Sequence, residues 1–189
     1  MRRGALGKDF GMTIWPRLNR RTNFLTALLG LALAFGAGPV FAEPKGPITG
    51  LPLPRYASLK TDRVNLREGP SKDHATKWVF QRAGLPVEIT AEFEIWLKIR
   101  DSEGAEGWVL HSLLSGRRTA LVAPGKKGQD FKIYTKPVPG ADVAATLQSG
   151  VIVSIKSCDG SWCLVFGDAF KGYIEQVALW GVYPNEKVE

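Results

Sequence analysis

The chain contains an internal duplication, which restricts the folds it can adopt more than any other feature of its sequence. Three pairs of segments match in order: 84–89 with 150–155 and 95–100 with 161–166, each 66 residues apart, and 107–109 with 172–174, 65 residues apart. A near-constant offset over successive segments predicts two copies of one structural unit. Each copy has roughly 60 residues, the size of one small domain.

Each copy is expected to consist of short β-strands. Between Val87 and Phe93, apolar residues occupy odd positions and polar residues occupy even positions. The alternation resumes over 95–100, and this period of two is typical of strands with one buried face. The run 101–107 is acidic and contains glycine, as turns often do. The sequence therefore predicts an all-β fold.

The first copy resembles the bacterial SH3-like domains in four features: Val-Asn-Leu-Arg-Glu-Gly-Pro-Ser at 64–71, Gly-Leu-Pro-Val at 84–87, Trp96 opening a strand, and Gly-Trp-Val at 107–109. In the second copy, 158–163 and 172–174 match, but the run Asn-x-Arg-x-Gly-Pro is replaced at 132–137. The resemblance implies two tandem SH3-like five-stranded antiparallel barrels that serve binding. Such a family defines a fold better than it defines a ligand.

The chain divides into six predicted segments. They are a signal peptide at 1–42, a proline-rich linker at 43–55, a first SH3-like domain at 56–116, a linker at 117–128, a second, divergent domain at 129–182 and a C-terminal tail at 183–189. The linker at 43–55 has four prolines, which favour an extended tether.

The N-terminal segment has the pattern of a secretory signal. Six basic residues precede an uncharged run at 24–37, and small residues lead up to Ala42, after which cleavage is expected. The alternative is an uncleaved membrane anchor, but 14 residues are fewer than the roughly 20 that span a bilayer. The protein is therefore predicted to be exported, periplasmic or secreted, with no membrane span after cleavage. Translation could start at Met1 or at Met12.

Loss of the signal removes most of the positive charge. The formal charge of the whole chain is +7, of which residues 1–42 contribute +5. The remaining residues carry only +2, without the basic stripe that nucleic-acid binding requires. Nucleic acid is therefore not an expected partner.

Cys158 and Cys163 are the only cysteines, and they flank a predicted hairpin turn. In an exported chain this arrangement favours a structural disulfide. The alternative, a redox pair, is usually spaced Cys-x-x-Cys at the start of a helix.

The sequence offers little for catalysis. His74 and His111 are isolated and have no metal-ligand spacing. The carboxylates between Glu92 and Glu106 could supply a pair for glycoside cleavage, but such residues usually form a solvated sheet edge. We therefore expect no enzyme activity, no catalytic residue, no metal and no cofactor.

Trp96 is the leading candidate for ligand binding. Strand parity places its ring on the polar face, opposite Ile95, Leu97 and Ile99, which are predicted to face inward. The predicted groove adds Trp78 and Phe93 as an aromatic floor, and Asp73 and Glu92 as an acidic rim suited to a cationic or amide-rich peptide. The alternative is that Trp96 only covers the open edge of the barrel.

The equivalent face of the second copy is apolar, since it carries Trp162, Leu164 and Phe166. Three large apolar side chains in a row are not expected to face water. We predict that this face is buried against the first domain, against the C-terminal segment around Trp180, or against a partner protein.

These features predict an exported binding protein of the cell envelope. The resemblance implies peptidoglycan, through its glycan or its stem peptides, as the leading partner. The alternative is a protein–protein adaptor or the accessory subunit of a sensor in the periplasm, in which case the partner is an envelope protein.

Overall fold

The structure is a computed structural model that describes residues 44–189. The predicted signal peptide, its cleavage site and the choice between Met1 and Met12 lie outside the described residues. Within residues 44–189 there is no helix long and apolar enough to cross a membrane.

Two consecutive sets of strands make up the described chain. The first set is β1 (Arg55–Leu59), β2 (Val64–Arg67), β3 (Thr76–Phe80), β4 (Pro86–Phe93), β5 (Trp96–Arg100), β6 (Glu106–Leu110) and β7 (Leu114–Ser115). The second set is β8 (Thr119–Val122), β9 (Asp130–Tyr134), β10 (Val143–Gln148), β11 (Ile152–Asp159), β12 (Trp162–Phe166), β13 (Lys171–Glu175), β14 (Leu179–Trp180) and β15 (Lys187–Val188). One turn of 3₁₀ helix follows β6 at His111–Leu113, and another follows β13 at Gln176–Ala178.

The two sheets have the same strand order. The first runs β3-β2-β6-β5-β4-β1-β7, and the second runs β10-β9-β13-β12-β11-β8-β14, with β15 beside β11. Each of the strands β8 to β14 thus takes the place of the strand seven positions earlier in the chain, and β15 has no counterpart in the first sheet. The predicted all-β fold and its duplication are confirmed. The first sheet has seven strands and the second has eight, where five were predicted for each barrel.

Each sheet encloses its own core. In the first barrel the core includes Val64, Leu66, Val87, Leu97 and Ile99, all almost fully buried. The second barrel has a separate cluster of the same kind, with Val122, Ile133, Val153, Val165 and Ile174 at its centre. These positions follow the alternation of the sequence, because every second residue of a strand faces the interior.

The predicted linker at 117–128 is wrong over part of its length. Its residues 119–122 form β8, a completely buried strand that pairs with β11 and β14. The four residues Thr-Ala-Leu-Val show no alternation, because neither face of this strand meets solvent. The pattern of apolar and polar residues therefore could not distinguish this strand from a linker between the domains.

The proline-rich segment is not an extended tether. Residues 44–52 fold back on themselves: the Gly46 N–H donates to Leu51 O at 2.8 Å, and Lys45 bridges to Pro52. The predicted tail at 183–189 is folded as well, because β15 pairs with Cys158 and Asp159 of β11.

The barrels meet at a junction of polar and aromatic groups. Thr119 Oγ1 donates to Gly84 O at 2.8 Å and lies 2.7 Å from Ser58 Oγ, so the first strand of each barrel takes part. Beside them, the ring of Tyr56 packs against Trp180 and Tyr183, with centroids 5.2 and 4.7 Å apart. The hydroxyl groups of this junction are buried, and its aromatic rings are partly buried.

Candidate ligand pocket of the first barrel

Trp96 is the first residue of β5 and lies between Phe93 of β4 and Leu110 of β6. Its neighbours Leu97 and Ile99 point into the barrel core, whereas the indole lies outside that core, as strand parity predicted. The ring is nevertheless only 5% exposed. Side chains from other elements therefore cover it, and it forms the bottom of a pocket.

The pocket has a volume of about 260 Å³ and a basic lining. Its lining residues are Arg63, Asn65, Arg67, Lys72, Trp96, Leu110 and Leu113. Three of these residues are cationic, and the other four are neutral. A small pocket lined by a tryptophan and three cations suits a ligand that carries negative charge, because the cations give the pocket a positive potential.

A loop between β2 and β3 brings Lys72 to the pocket. Arg67 holds this loop, since its Nη1 donates to Lys72 O at 3.0 Å and to His74 O at 2.8 Å. A Cβ atom at Gly69 would lie only 2.3 Å from the His74 ring, so a larger residue at this position would displace that ring. The Arg-Glu-Gly-Pro run thus shapes the rim.

The structure does not bring the predicted groove residues together. Trp78 on β3 is 60% exposed and Phe93 is 50% exposed, and neither lines the pocket. Asp73 is an exposed residue of the loop, where its backbone N–H donates to Ser71 Oγ. Of the predicted set, only Trp96 lines the pocket.

Glu92 is not part of an open acidic rim, and this prediction is corrected. Its carboxylate has no exposed surface and is enclosed by the N-terminal segment. Thr49 Oγ1 donates to Glu92 Oε1 at 2.6 Å, the Ile48 and Thr49 N–H groups donate to Oε2 at 3.0 and 2.9 Å, and Arg55 forms an ion pair at 2.9 Å. Glu92 therefore anchors residues 44–55 to the barrel.

These contacts set the charge state of Glu92. Burial alone raises the pKa of the carboxyl group, but the hydrogen bonds from Thr49, Ile48 and Arg55 outweigh burial and lower the pKa from 4.5 to about 2. Glu92 is thus a carboxylate at any physiological pH.

Sequence reasoning missed the cationic residues of the pocket, although a signal was present. Arg63, Asn65 and Arg67 occupy every second position, and Arg63 directly precedes β2, so this period of two predicts that all three project to one face. The buried Val64 and Leu66 between them mark the opposite face. The alternation around β2 therefore predicts a polar face with two arginines. Only the fold shows that this face lies beside Trp96.

Comparison with known proteins identifies the family. The model of the bacterial SH3 domain matches the chain twice, at residues 60–116 and 127–181. The chain belongs to the bacterial SH3 domain family. No curated protein sequence matches it.

Three solved structures show limited similarity. NlpC1 of Trichomonas vaginalis is 16% identical, with a TM-score of 0.31, over 75% of this chain and 51% of that one. NlpC2 of the same organism is 16% identical, with a TM-score of 0.31, over 67% and 48%. An NlpC/P60 family protein from Bacillus cereus is 11% identical, with a TM-score of 0.30, over 66% and 55%. The chain thus spans about half the length of each of these proteins.

In the second SH3 domain, the predicted disulfide is confirmed. Cys158 of β11 and Cys163 of β12 are bonded, and they are directly opposite each other in the sheet. The disulfide therefore closes the hairpin whose turn positions Trp162. In that turn, Asp159 Oδ1 accepts hydrogen bonds from the Ser161 and Trp162 N–H groups, both at 2.8 Å.

The apolar face of the second SH3 domain is only partly covered. Trp162 packs edge to face on Tyr134 of the same domain, with centroids 5.8 Å apart, and shares a depression with Val188 of the C-terminal strand. Leu164 is half-buried, and Phe166 remains 42% exposed. The contacts between the domains come from Tyr56, Thr119 and Tyr183 instead, so burial of this face against the first domain is corrected.

Proposed function

We propose that this protein is a non-catalytic binding protein of the bacterial cell envelope whose first SH3 domain recognises the carboxylate of a cell-wall peptide. The observation that carries this proposal is the Trp96 pocket with Arg63, Arg67 and Lys72 at its rim. Peptidoglycan stem peptides are short and end in a carboxylate. A guanidinium binds such a group through paired, charge-assisted hydrogen bonds, and an indole floor supports the adjoining alkyl part.

The basic rim reverses the ligand chemistry expected from the sequence. A cationic peptide was expected because Asp73 and Glu92 were assigned to the rim. Since Glu92 is enclosed and Asp73 lies outside the lining, the charged side chains that line the pocket are the three cations. An anionic or carboxylate-terminated ligand is therefore favoured.

The disulfide supports a location outside the cytoplasm. Disulfides persist in oxidising compartments and are rare among cytosolic proteins. Together with the signal pattern of residues 1–42, the Cys158–Cys163 bond supports export. Intact-mass measurement of the protein in an envelope fraction tests this directly, because export with cleavage gives a chain that starts at Glu43.

Co-sedimentation with purified cell-wall sacculi tests the ligand. The double variant Arg63→Ala/Lys72→Ala removes two rim cations while it keeps Arg67, which holds the loop. We expect its binding to fall at least about tenfold, since two charge-assisted contacts are lost. The matched control Lys126→Ala/Lys127→Ala removes the same charge from an exposed loop and is expected to bind normally.

Two results contradict the proposal. Equal binding by the rim variant and the wild type would show that the pocket is not the binding site. Release of soluble muropeptides during the incubation, detected by mass spectrometry, would show that the protein is an enzyme.

A second function, protein–protein adaptor, is favoured by one surface. Ile48, Leu51, Phe93 and Ile95 are each at least half exposed, and the N–H of Ile48 binds Glu92, the neighbour of Phe93. Exposed apolar side chains that lie together often mark protein contacts. Affinity capture from envelope extract, with Phe93→Ser/Ile95→Ser as the variant, tests this role. A specific protein that is captured by the wild type and lost with the variant supports the adaptor.

A further inference from the structure

The tryptophan of the second SH3 domain has a different strand partner from that of the first. In the first domain, Trp96 is directly opposite Leu110. In the second, Trp162 is directly opposite Glu175. Residues opposite each other on antiparallel strands project to the same face, with Cβ atoms about 5 Å apart. The duplication has therefore placed a carboxylate beside the second indole, at the position where the first has an alkyl group.

Trp162 and Glu175 line a cavity of about 590 Å³, a size within the range of small-molecule sites. Its wall includes Tyr183 and Pro184 from the C-terminal segment, and Val177 and Gln176 from the 3₁₀ turn. Glu175 is the only charged residue of this lining, and it is exposed. The cavity thus combines two aromatic rings with a single accessible carboxylate.

A buried carbonyl adds to the negative potential of this cavity. Gln176 is 4% exposed, and its Nε2 donates to Tyr183 O at 2.7 Å and to Glu186 O at 3.1 Å. These two bonds fix the orientation of the amide. Its Oε1 has no donor within the part of the chain that the structure describes. A buried acceptor without a donor leaves a partial negative charge uncompensated in a residue that lines the cavity.

The cations near this cavity do not cancel that potential. Arg118 is engaged with the Glu186 carboxylate at 2.7 Å. Lys132 shares a separate depression of about 290 Å³ with Glu175, but Asp130 lies there too. Lys187, which shares a depression with Trp162, has Asp159 beside it. Each of these three cations thus has a carboxylate near it, whereas the charged residues that line the Trp96 pocket are all cationic.

We infer that the Trp162 cavity is a second ligand site that takes an alkylammonium group, such as a lysine-type side chain. The ammonium lies against the indole face and pairs with Glu175, while its alkyl chain contacts Val177 and Pro184. The two SH3 domains then select groups of opposite charge. The inference does not depend on what the first domain binds, because the Trp96 pocket contributes no residue to this cavity.

The test is a titration followed by NMR, with Nα-acetyl-lysine methylamide as the probe. The readout is the indole N–H signal of Trp162, assigned through the variant Trp162→Phe. We expect the probe to shift this signal and Glu175→Gln to weaken the interaction about three- to fivefold, the range for an exposed ion pair. Glu103→Gln, an exposed carboxylate of the first domain, is the matched control and is expected to leave the affinity unchanged.

The same probe with an acetylated Nε separates charge from shape. The acetylated probe, which carries no charge, is expected to leave the chemical shift of the Trp162 indole N–H unchanged. An equal shift with the acetylated probe would overturn the inference, since the cavity would then select an apolar chain. So would an unmoved Trp162 signal, or full affinity in Glu175→Gln. Sedimentation with sacculi tests the first domain independently, so either conclusion can fail alone.

Discussion

Trp96 is both a structural residue and the floor of the pocket, so its removal has two consequences. Its ring is 5% exposed, and we expect Trp96→Ala to lower the free energy of unfolding by about 3–5 kcal/mol, as large-to-small changes at buried positions do. Urea denaturation measures this loss. Trp78→Ala is the control, because Trp78 is 60% exposed and its truncation is expected to cost less than about 1 kcal/mol. If both variants lose a similar free energy of unfolding, Trp96 does not have the structural role assigned to it.

The sequence left two alternatives for Trp96: it lines a ligand groove, or it covers the open edge of the barrel. The two roles are therefore not exclusive. Strand parity correctly placed the ring opposite Leu97 and Ile99. Parity describes only the residue's own strand, however. The other residues that line the pocket come from β2 and its loop, and from Leu110 and Leu113 after β5. Burial of Trp96 depends on that non-local contact, so local pattern could not predict it.

Glu92 makes the stability of the protein sensitive to acid. Its pKa is about 2 in the folded protein against an ordinary value of 4.5, so its contribution is complete above pH 4.5 and is lost as the pH falls towards 2. The difference corresponds to about 3 kcal/mol. We expect thermal unfolding measured between pH 7 and pH 2.5 to show this loss, and Glu92→Gln to be less stable at pH 7 with a flatter profile.

The control for this measurement is Glu106→Gln. Glu106 pairs with Lys98 at 2.9 Å, but both side chains are partly exposed to solvent, which screens the pair, so the pair contributes little. This variant is expected to retain the acid sensitivity of the wild type. If Glu92→Gln loses as much stability in acid as the wild type does, protonation of Glu92 is not the cause of the acid sensitivity.

Among the elements, the β11–β12 hairpin carries the disulfide prediction. The bond joins residues five positions apart, and closing so short a loop restricts the unfolded chain modestly. We expect Cys158→Ser/Cys163→Ser to lose roughly 2 kcal/mol and still fold. The hairpin keeps its register through Ile155 opposite Val165, both in the core. Chemical denaturation and circular dichroism test this, and an unfolded variant would contradict it.

The elements differ in how well the sequence predicted them. Strands β4 and β5 have one face in the core, and their alternation identified them. Ile95 was assigned to the inner face by the same rule, but it lies in the turn between these strands and is 62% exposed. Strand β8 and the turn of 44–52 depend on contacts with β11, β14 and Glu92. Such contacts form only when the chain folds. Composition alone therefore predicts linkers at 43–55 and 117–128.

At the scale of the whole molecule, the junction determines whether the two pockets act together. Tyr183 donates its hydroxyl hydrogen bond to Glu88 Oε1 at 2.9 Å, across the junction from the second domain to the first. Glu88 is 3% exposed and also accepts a hydrogen bond from Arg100. Burial and the nearby Glu88 carboxylate raise the pKa of Tyr183, so the hydroxyl keeps its proton at neutral pH. Loss of this donor leaves part of a buried carboxylate unpaired.

We therefore expect the wild type to unfold in one calorimetric transition and Thr119→Val/Tyr183→Phe to unfold in two. Thr119 Oγ1 and the Tyr183 hydroxyl are hydrogen-bond donors that connect the second domain to the first, to Gly84 O and Glu88 respectively. Each lost bond to a buried acceptor costs about 1–3 kcal/mol, which is comparable with the whole stability of a domain of this size. Without that coupling, the domain with the smaller intrinsic stability melts first.

Tyr173→Phe is the matched control, because Tyr173 lies on β13 opposite Leu164, within the second domain. It is expected to retain the single transition. One transition in the double variant would show that the aromatic contacts of Tyr56 with Trp180 and Tyr183 suffice to couple the domains. Two transitions in the wild type would show instead that the domains are independent, and that the basic and acidic pockets are not held in one fixed arrangement.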